Sequence, residues 1–264
     1  MTKKRLDVLI FEKGLVPSRE KARALIMAGQ VLLDGKPATK AGIQASEDSV
    51  IKIKENKNQF VSRGGDKLAG ALKTFNYNPE NKVVLDIGAS TGGFTDCLLK
   101  NGAKLVYAVD VGYGQLDHKL RNDDRVRVME KTNARYLKKN QFDFEFDLAV
   151  VDVSFISVIK VLAPVFDLLK KDGTAIVLIK PQFEAGKEKI GKGGIVKNPE
   201  THIDIIKTTI AEADKIGLHA LDITYSPIKG PKGNIEFLAR FEKEDIVIPS
   251  FDIDNIVHNA HIYL

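Results

Sequence analysis

The chain has 264 residues, 44% of them hydrophobic and 28% charged, with a formal net charge of +5. That composition suits a folded globular protein and excludes collagenous or low-complexity chains; the single cysteine, Cys97, excludes an intrachain disulfide framework. No apolar run approaches the roughly 18 residues a spanning helix needs, so no stable membrane insertion is expected, and the cysteine usage suits a reducing, cytoplasmic setting.

The opening Met1-Thr2-Lys3-Lys4-Arg5 is basic, but Asp7, Glu12 and Lys13 break the apolar run behind it, so no leader is expected there. Leu6, Leu9 and Ile10 fall at helical spacing. Pro17-Ser18 interrupts the chain, and Ser18 can cap a helix over 19–28 with Ala22, Leu25 and Ile26 on one face. Gly29 is a natural stop. Val31 to Leu33 reads as a strand, Asp34-Gly35 as a hairpin turn, and 49–54 as a second strand with Ile51 and Ile53 on one side. Lys57-Asn58-Gln59 reads as a linker, dividing the chain into 1–60 and 61–264. Residues 1–60 hold 12 Lys+Arg against 7 Asp+Glu, whereas 61–264 hold 28 of each. All excess positive charge is therefore N-terminal, which suits a polyanionic partner or, equally, a solvated basic surface.

The run SREKARALIMAGQVLLDGKPATKAG resembles the RNA-binding domain named after small-subunit ribosomal protein S-four, over about residues 3–60. The resemblance implies two helices followed by a short β segment. It makes Arg5, Arg19, Lys21, Arg23 and Lys36 candidate phosphate contacts.

Beyond the linker, short Val/Ile/Leu-rich runs at 83–87, 105–109, 126–129, 148–151 and 174–179 suit strands buried on both faces. Helices fit at 95–101 and 156–170, and later at 199–216 before Gly217. Closing strands fit at 221–224 and 236–241. This alternation implies an α/β, Rossmann-like, mostly parallel doubly wound sheet. The strand 83–87 enters the turn Gly88-Ala89-Ser90-Thr91-Gly92-Gly93. Asp110 ends the next strand, 24 residues after Asp86, where an acid can hold both ribose hydroxyls of an adenosine. A dinucleotide remains an alternative ligand. GASTGG, however, departs from G-x-G-x-x-G, and Asp86 lies where it can reach a cationic methionine end, which favours S-adenosylmethionine.

The fragments SRGGDKL, DIGASTGGFTD, DVSF, IKPQFE and EFLARF occur in that order and resemble the TlyA family, often labelled haemolysin A, whose catalytic domain is similar to FtsJ-like ribose 2′-O-methyltransferases. The resemblance covers nearly the whole chain. It implies S-adenosyl-L-methionine as cofactor, ribosomal RNA or ribosomal subunits as partner, and cytidine 2′-O-methylation as reaction. It places a catalytic tetrad on Lys67, Asp152, Lys180 and Glu236. Cofactor residues fall on Asp86, Gly88, Ser90, Thr91, Gly92, Gly93 and Asp110, with Asn133 on the adenine side.

The residues read by themselves agree. Asp152 and Lys180 each end an apolar strand, where ligands bind in parallel sheets. Lys180 is the candidate base for a ribose hydroxyl, with Lys67 and a sulfonium disfavouring its protonated form, and with Asp152 and Glu236 orienting the lysines. The histidines and the cysteine show no ligand-like clustering, and no metal is expected. Cys97 is read as a small core residue, Phe155 as core packing with base stacking as the alternative, and His202, His258 and His261 as surface residues. The stretch 186–197 is either a substrate-binding loop or an ordinary surface loop. A non-catalytic RNA-binding or ribosome-assembly factor and a membrane-active haemolysin are the competing functions.

Overall fold

The computed structural model describes residues 3–16, 18–27, 31–38, 40–53, 59–243 and 249–264, without the side chains of 20, 21, 24, 27 and 187. It divides into two compact units, 1–57 and 58–264. Gly29, Lys54, Lys57 and Asn58, which bear on the expected helix stop, strand end and linker, lie outside the described residues.

In the first unit, β1 (Lys3–Arg5) leads into α1 (Leu6–Glu12), which packs on α2 (Arg19–Met27). The hairpin β2 (Val31–Leu33) and β3 (Lys36–Ala38) turns at Asp34 and Gly35, both with positive φ, the pairing that a two-residue type I′ turn requires. β4 (Gln44–Ser46) pairs antiparallel with β1, and β5 (Ile51–Ile53) with β2. Leu6, Leu9, Ile10, Ala22, Ile26 and Val31 form the core, so the helical spacing of the apolar residues does face inward. Strands β1 and β4 were not expected: three-residue strands of mostly polar side chains, Lys-Lys-Arg and Gln-Ala-Ser, carry no periodic signal.

The second unit opens with α3 (Gly64–Thr74) and then alternates strands and helices: β6 (Val83–Ile87), α4 (Gly93–Lys100), β7 (Leu105–Val109), α5 (His118–Arg121), β8 (Val126–Met129), β9 (Phe146–Val151), α6 (Ile159–Leu168), β10 (Leu169–Ile179), α7 (Pro181–Glu184), α8 (Pro199–Asp214), β11 (His219–Tyr225), β12 (Phe237–Glu242) and α9 (Ile253–Tyr263). α8 starts where Pro199 sits in the first turn and the Asn198 side chain accepts from Glu200 N–H. The seven strands form one sheet in the order β11-β12-β10-β9-β6-β7-β8. Neighbours from β10 to β8 pair in parallel, and β12 runs antiparallel to both β10 and β11.

Alternate residues of each strand face opposite layers. Leu85, Ile87, Ala149, Val151, Val177 and Ile179 pack with α6, α8 and α9; Val84, Val106, Leu148, Val150, Ile176 and Leu178 pack with α3 and α4. Cys97 is buried in the second layer. The chain leaves β6 toward β7 and β8, then returns to β9 on the other side. This reversal between β6 and β9 is the crevice where doubly wound sheets bind ligands. Among the described residues no helix is long and apolar enough to cross a membrane.

Candidate active site and cofactor cavity

Two cavities open along the carboxyl ends of the central strands. One, of about 620 Å³, is lined by Gly88, Ser90, Asp110, Thr132, Asn133 and Asp152 among others. Its neighbour, of about 720 Å³, contains Lys67, Asp152, Lys180 and Glu236, along with Thr91, Gly93, Phe155 and Gln182. Gly88, Ser90, Asp152, Ser154 and Phe155 line both.

Gly88 sets the junction. Its φ is +85°, and a Cβ there would lie 2.2 Å from the carbonyl oxygen of Asp152. Only glycine lets the turn after β6 pack directly on the end of β9. Ser90, at φ +48°, donates its N–H to Asp110 Oδ2 at 2.8 Å, and Gly112 N–H donates to Oδ1 at 2.6 Å. Asp110 thus fixes both turns, while each oxygen keeps a second lone pair for a ligand hydroxyl. Asn133 Oδ1 caps the turn at Ala134–Tyr136 by accepting from Arg135 N–H at 3.1 Å.

Asp86 and Gly92 stand apart from the other expected cofactor residues, since neither lines either of these two cavities. Gly92 ends the turn beneath Leu116 and Leu120. Asp86 faces the α4 layer and is fully buried, accepting from the Thr95 hydroxyl at 2.6 Å. Burial pushes its carboxyl up to about 7 against the Thr95 hydrogen bond, with the Asp152 and Asp110 charges adding in the same upward direction. Asp86 Oδ1 has no hydrogen-bond partner among the described residues. Two carboxylates, Asp110 and Asp152, therefore line the nucleoside-sized cavity beside the Gly88 turn, while Asp86 is buried away from it. That donor set fits a ligand with ribose hydroxyls at one end and positive charge at the other.

The expected tetrad comes together as two pairs. Lys67, on the buried face of α3, donates to Glu236 Oε2 at 2.5 Å; the two are 6% and 0% exposed. Gln182 Nε2 donates to the other oxygen of Glu236 at 2.9 Å. Gly230 passes close by: a Cβ there would lie 2.5 Å from Glu236 Oε1, so a larger residue would press the carboxylate off its two donors. Lys180 forms an ion pair with Asp152 Oδ1 and donates to Ser154 Oγ at 2.9 Å. Ser154 and Gln182 were not singled out, although both lie inside the quoted fragments DVSF and IKPQFE.

Phe155 corrects the expectation of core packing. It is 91% exposed, at φ +64°, with its ring 5.2 Å from that of Phe183. The left-handed turn after β9 throws the side chain outward, which hydrophobicity alone does not reveal. His202 also departs from expectation: it is fully buried, its Nδ1 3.1 Å from His261 Nε2 and its Nε2 3.2 Å from the Val196 carbonyl. The stretch 186–197 is a structured wall, clasped by Asn234, which donates to Gly194 O at 2.9 Å and accepts from Val196 N–H at 3.0 Å. Among the described residues no group of three or more His, Cys, Asp or Glu is placed to hold a metal.

In the first unit, Arg5 and Arg19 both donate to buried Asp7, at 3.0 and 3.3 Å for their shortest contacts, and keep about half of each side chain exposed. Burial pushes Asp7 up, but the two guanidiniums outweigh it and hold the carboxyl below the usual range. Arg23 and Lys36 are exposed. The Lys21 side chain lies outside the described residues.

Comparison with known proteins gives the fold and site a family. Residues 60–243 match the FtsJ-like methyltransferase family, and residues 4–51 match the S4 domain. The chain is 40% identical to the 16S/23S rRNA (cytidine-2′-O)-methyltransferase TlyA of Mycobacterium tuberculosis, covering 97% of this chain and 96% of the relative. It is 44% identical to Hemolysin A of Brachyspira hyodysenteriae, covering 90% and 99%. A solved structure of a candidate hemolysin from Streptococcus thermophilus superposes with a TM-score of 0.78 at 45% identity, covering 100% of this chain and 97% of that one. With most of its length matched, carboxylates at the sheet's switch point and lysine–carboxylate pairs beside them, the chain belongs to the FtsJ-like methyltransferase family and is an S-adenosylmethionine-dependent enzyme.

Proposed function

We propose that this chain methylates the ribose 2′-oxygen of a cytidine in ribosomal RNA, acting in the cytoplasm. The observation that carries the reading is the placement of Lys180, paired with Asp152, in the cavity that adjoins the Asp110 cavity. The name of the Mycobacterium tuberculosis relative supports the substrate.

When bound, S-adenosylmethionine supplies an electrophilic methyl group on a sulfonium. Asp110 and Asn133 would hold its nucleoside, with the Gly88–Gly93 turn as the floor. The ribose hydroxyl is a poor nucleophile until its proton is removed or shared. With its amine in the neutral form, Lys180 would accept that proton as the methyl group passes to the ribose oxygen. Asp152 and Ser154 hold the Lys180 amine on the cavity side. Lys67, fixed by Glu236, sets a second cation beside it. Phe155, exposed where the two cavities meet, offers an aromatic face to the target base. The first unit supplies affinity: Arg5, Arg19, Lys21, Arg23 and Lys36 would contact phosphates, each contact steepening the salt dependence of binding.

The test is transfer of tritiated methyl groups to ribosomal subunits from cells lacking the protein, with mapping of the modified nucleotide. Lys180→Ala should lower the rate by about 10²–10⁴ while sparing cofactor affinity. Lys180→Arg should not rescue, because a guanidinium cannot take up the hydroxyl proton. An active arginine variant would leave Lys180 only an electrostatic anchor. RNA binding without any methyl transfer would favour a non-catalytic RNA-binding factor.

A further inference from the structure

We propose that Glu184 is a positioning residue for methyl transfer, stapling the turn after β9 to the turn after β10 so that Ser154 and Phe155 stay aligned with Lys180. This inference rests on the proposed roles of Lys180 and Phe155.

The two turns come from strands that pair side by side, yet they are 26 and 27 residues apart at the staple. Glu184 ends the four-residue helix α7. Its Oε2 accepts from the Ser157 hydroxyl at 2.6 Å, and its Oε1 accepts from Val158 N–H at 2.7 Å. Each carboxylate oxygen thus takes one donor from the opposite turn, and Glu184 itself lines neither cavity. Among the described residues, the other side-chain contacts that cross between the turns belong to the site. Lys180 reaches Ser154 and Asp152, and Phe183 meets Phe155.

The staple answers a local problem. Phe155 is a bulky residue at φ +64°, a sparsely populated conformation that persists only where its surroundings hold it. It is also almost fully exposed, so core packing cannot do the holding. Beside it Ser154 Oγ accepts from Lys180 at 2.9 Å; the other fixed points are Asp152, whose N–H donates to Ile87 O at 2.8 Å, and the Ser157–Val158 end gripped by Glu184. Burial raises the Glu184 carboxyl above the ordinary range against these two hydrogen bonds, as expected for a carboxyl held away from water by its two donors. A carboxylate that merely capped the start of α6 would make the same bond to Val158, but the site would not depend on it.

The experiment uses the full-length chain, which contains no tryptophan. Phe155→Trp places a single fluorescent reporter on the turn. In that background Glu184→Ala should lower the anisotropy of the reporter, and in the native sequence it should reduce kcat/KM for ribosomal RNA by about 10²-fold, the scale of an ångström-sized misplacement. Both kcat and KM should move, because Ser154 serves the lysine and Phe155 serves the base. Glu184→Gln should stay close to the parent in both readouts, since its amide oxygen can accept from Val158 N–H and its amide nitrogen can donate to Ser157 Oγ. Ser157→Ala removes one bond of the two and should show a smaller loss, which keeps the test usable if Glu184→Ala folds poorly. Unchanged anisotropy in Glu184→Ala overturns the staple whatever the substrate. Changed anisotropy with unchanged kcat and KM, or a lower melting temperature alone, overturns its role in catalysis. A parent that fails to methylate ribosomal RNA instead overturns the proposed function.

Discussion

Replacing Lys67 by methionine keeps most of the side chain's volume and removes its cation. Glu236, with no exposed surface, is then left with Gln182 as its one side-chain donor among the described residues, at 2.9 Å. Removing one partner of a buried ion pair costs about 3–5 kcal/mol, because the remaining charge has neither water nor a counter-charge. Lys180→Met should cost less, about 1–3 kcal/mol, the worth of leaving the buried Asp152 Oδ1 unpaired, since Asp152 as a whole keeps 19% of its side chain exposed and opens on both cavities. Urea unfolding of the two full-length variants measures the difference. The double variant Lys67→Met/Glu236→Gln should recover most of the stability, because no charge is stranded, yet remain inactive in methyl transfer if the pair serves the chemistry. Equal destabilisation by Lys67→Met and Lys180→Met would refute the argument, since it depends on Glu236 being sealed and Asp152 being wet.

Two further outcomes follow from the same geometry. Asp110→Ala should weaken binding of S-adenosylhomocysteine by about 10- to 100-fold, the worth of one strong or two ordinary hydrogen bonds to a carboxylate; calorimetric titration reads it, and unchanged affinity would remove Asp110 from the ribose site. His202 gives a pH signature: burial first, then the nearby His261, pushes it from 6.5 down to about 4, so the folded state prefers the neutral ring. Its contribution is full above pH 6.5 and is lost as pH falls toward 4, by about 3 kcal/mol in total, because the unfolded chain protonates first. His202→Gln should flatten that part of the pH–stability profile, and a profile unchanged by the substitution would show that the ring titrates normally.

The sheet was legible because strands buried on both faces read as unbroken apolar runs, and 83–87, 105–109 and 126–129 coincide with β6, β7 and β8. Helix α3 was hidden by the two glycines that open it, although its Lys67 was picked out by fragment resemblance. His202 was misread as exposed despite a signal in the sequence: it shares a helical face with Ile205, Ile206, Thr209 and Ala213, all buried. On that stripe the position of a polar residue is a better guide to its burial than its chemistry. Phe155 failed the other way, since apolar character argued for burial and only the backbone turn, set by contacts distant in sequence, exposes it. The partners Ser154, Gln182 and Glu184 were out of reach for the same reason, each bond joining residues from 26 to 54 positions apart.

The direction of β12 decides whether the tetrad exists. Asp152 and Lys180 follow the carboxyl ends of β9 and β10, so they meet without special arrangement. Glu236 precedes its strand. Because β12 runs antiparallel to β10, its first residue Phe237 pairs with the last residue of β10, Ile179. Glu236 and Lys180 therefore lie at the same end of the sheet, one residue beyond a register pair. In a parallel β12, the start of the six-residue strand would fall at the opposite end, about 20 Å away at roughly 3.3 Å per residue. The reversed strand near the edge of an otherwise parallel sheet is thus what brings the carboxylate to Lys67, and through it the second cation to the cavity that holds Lys180.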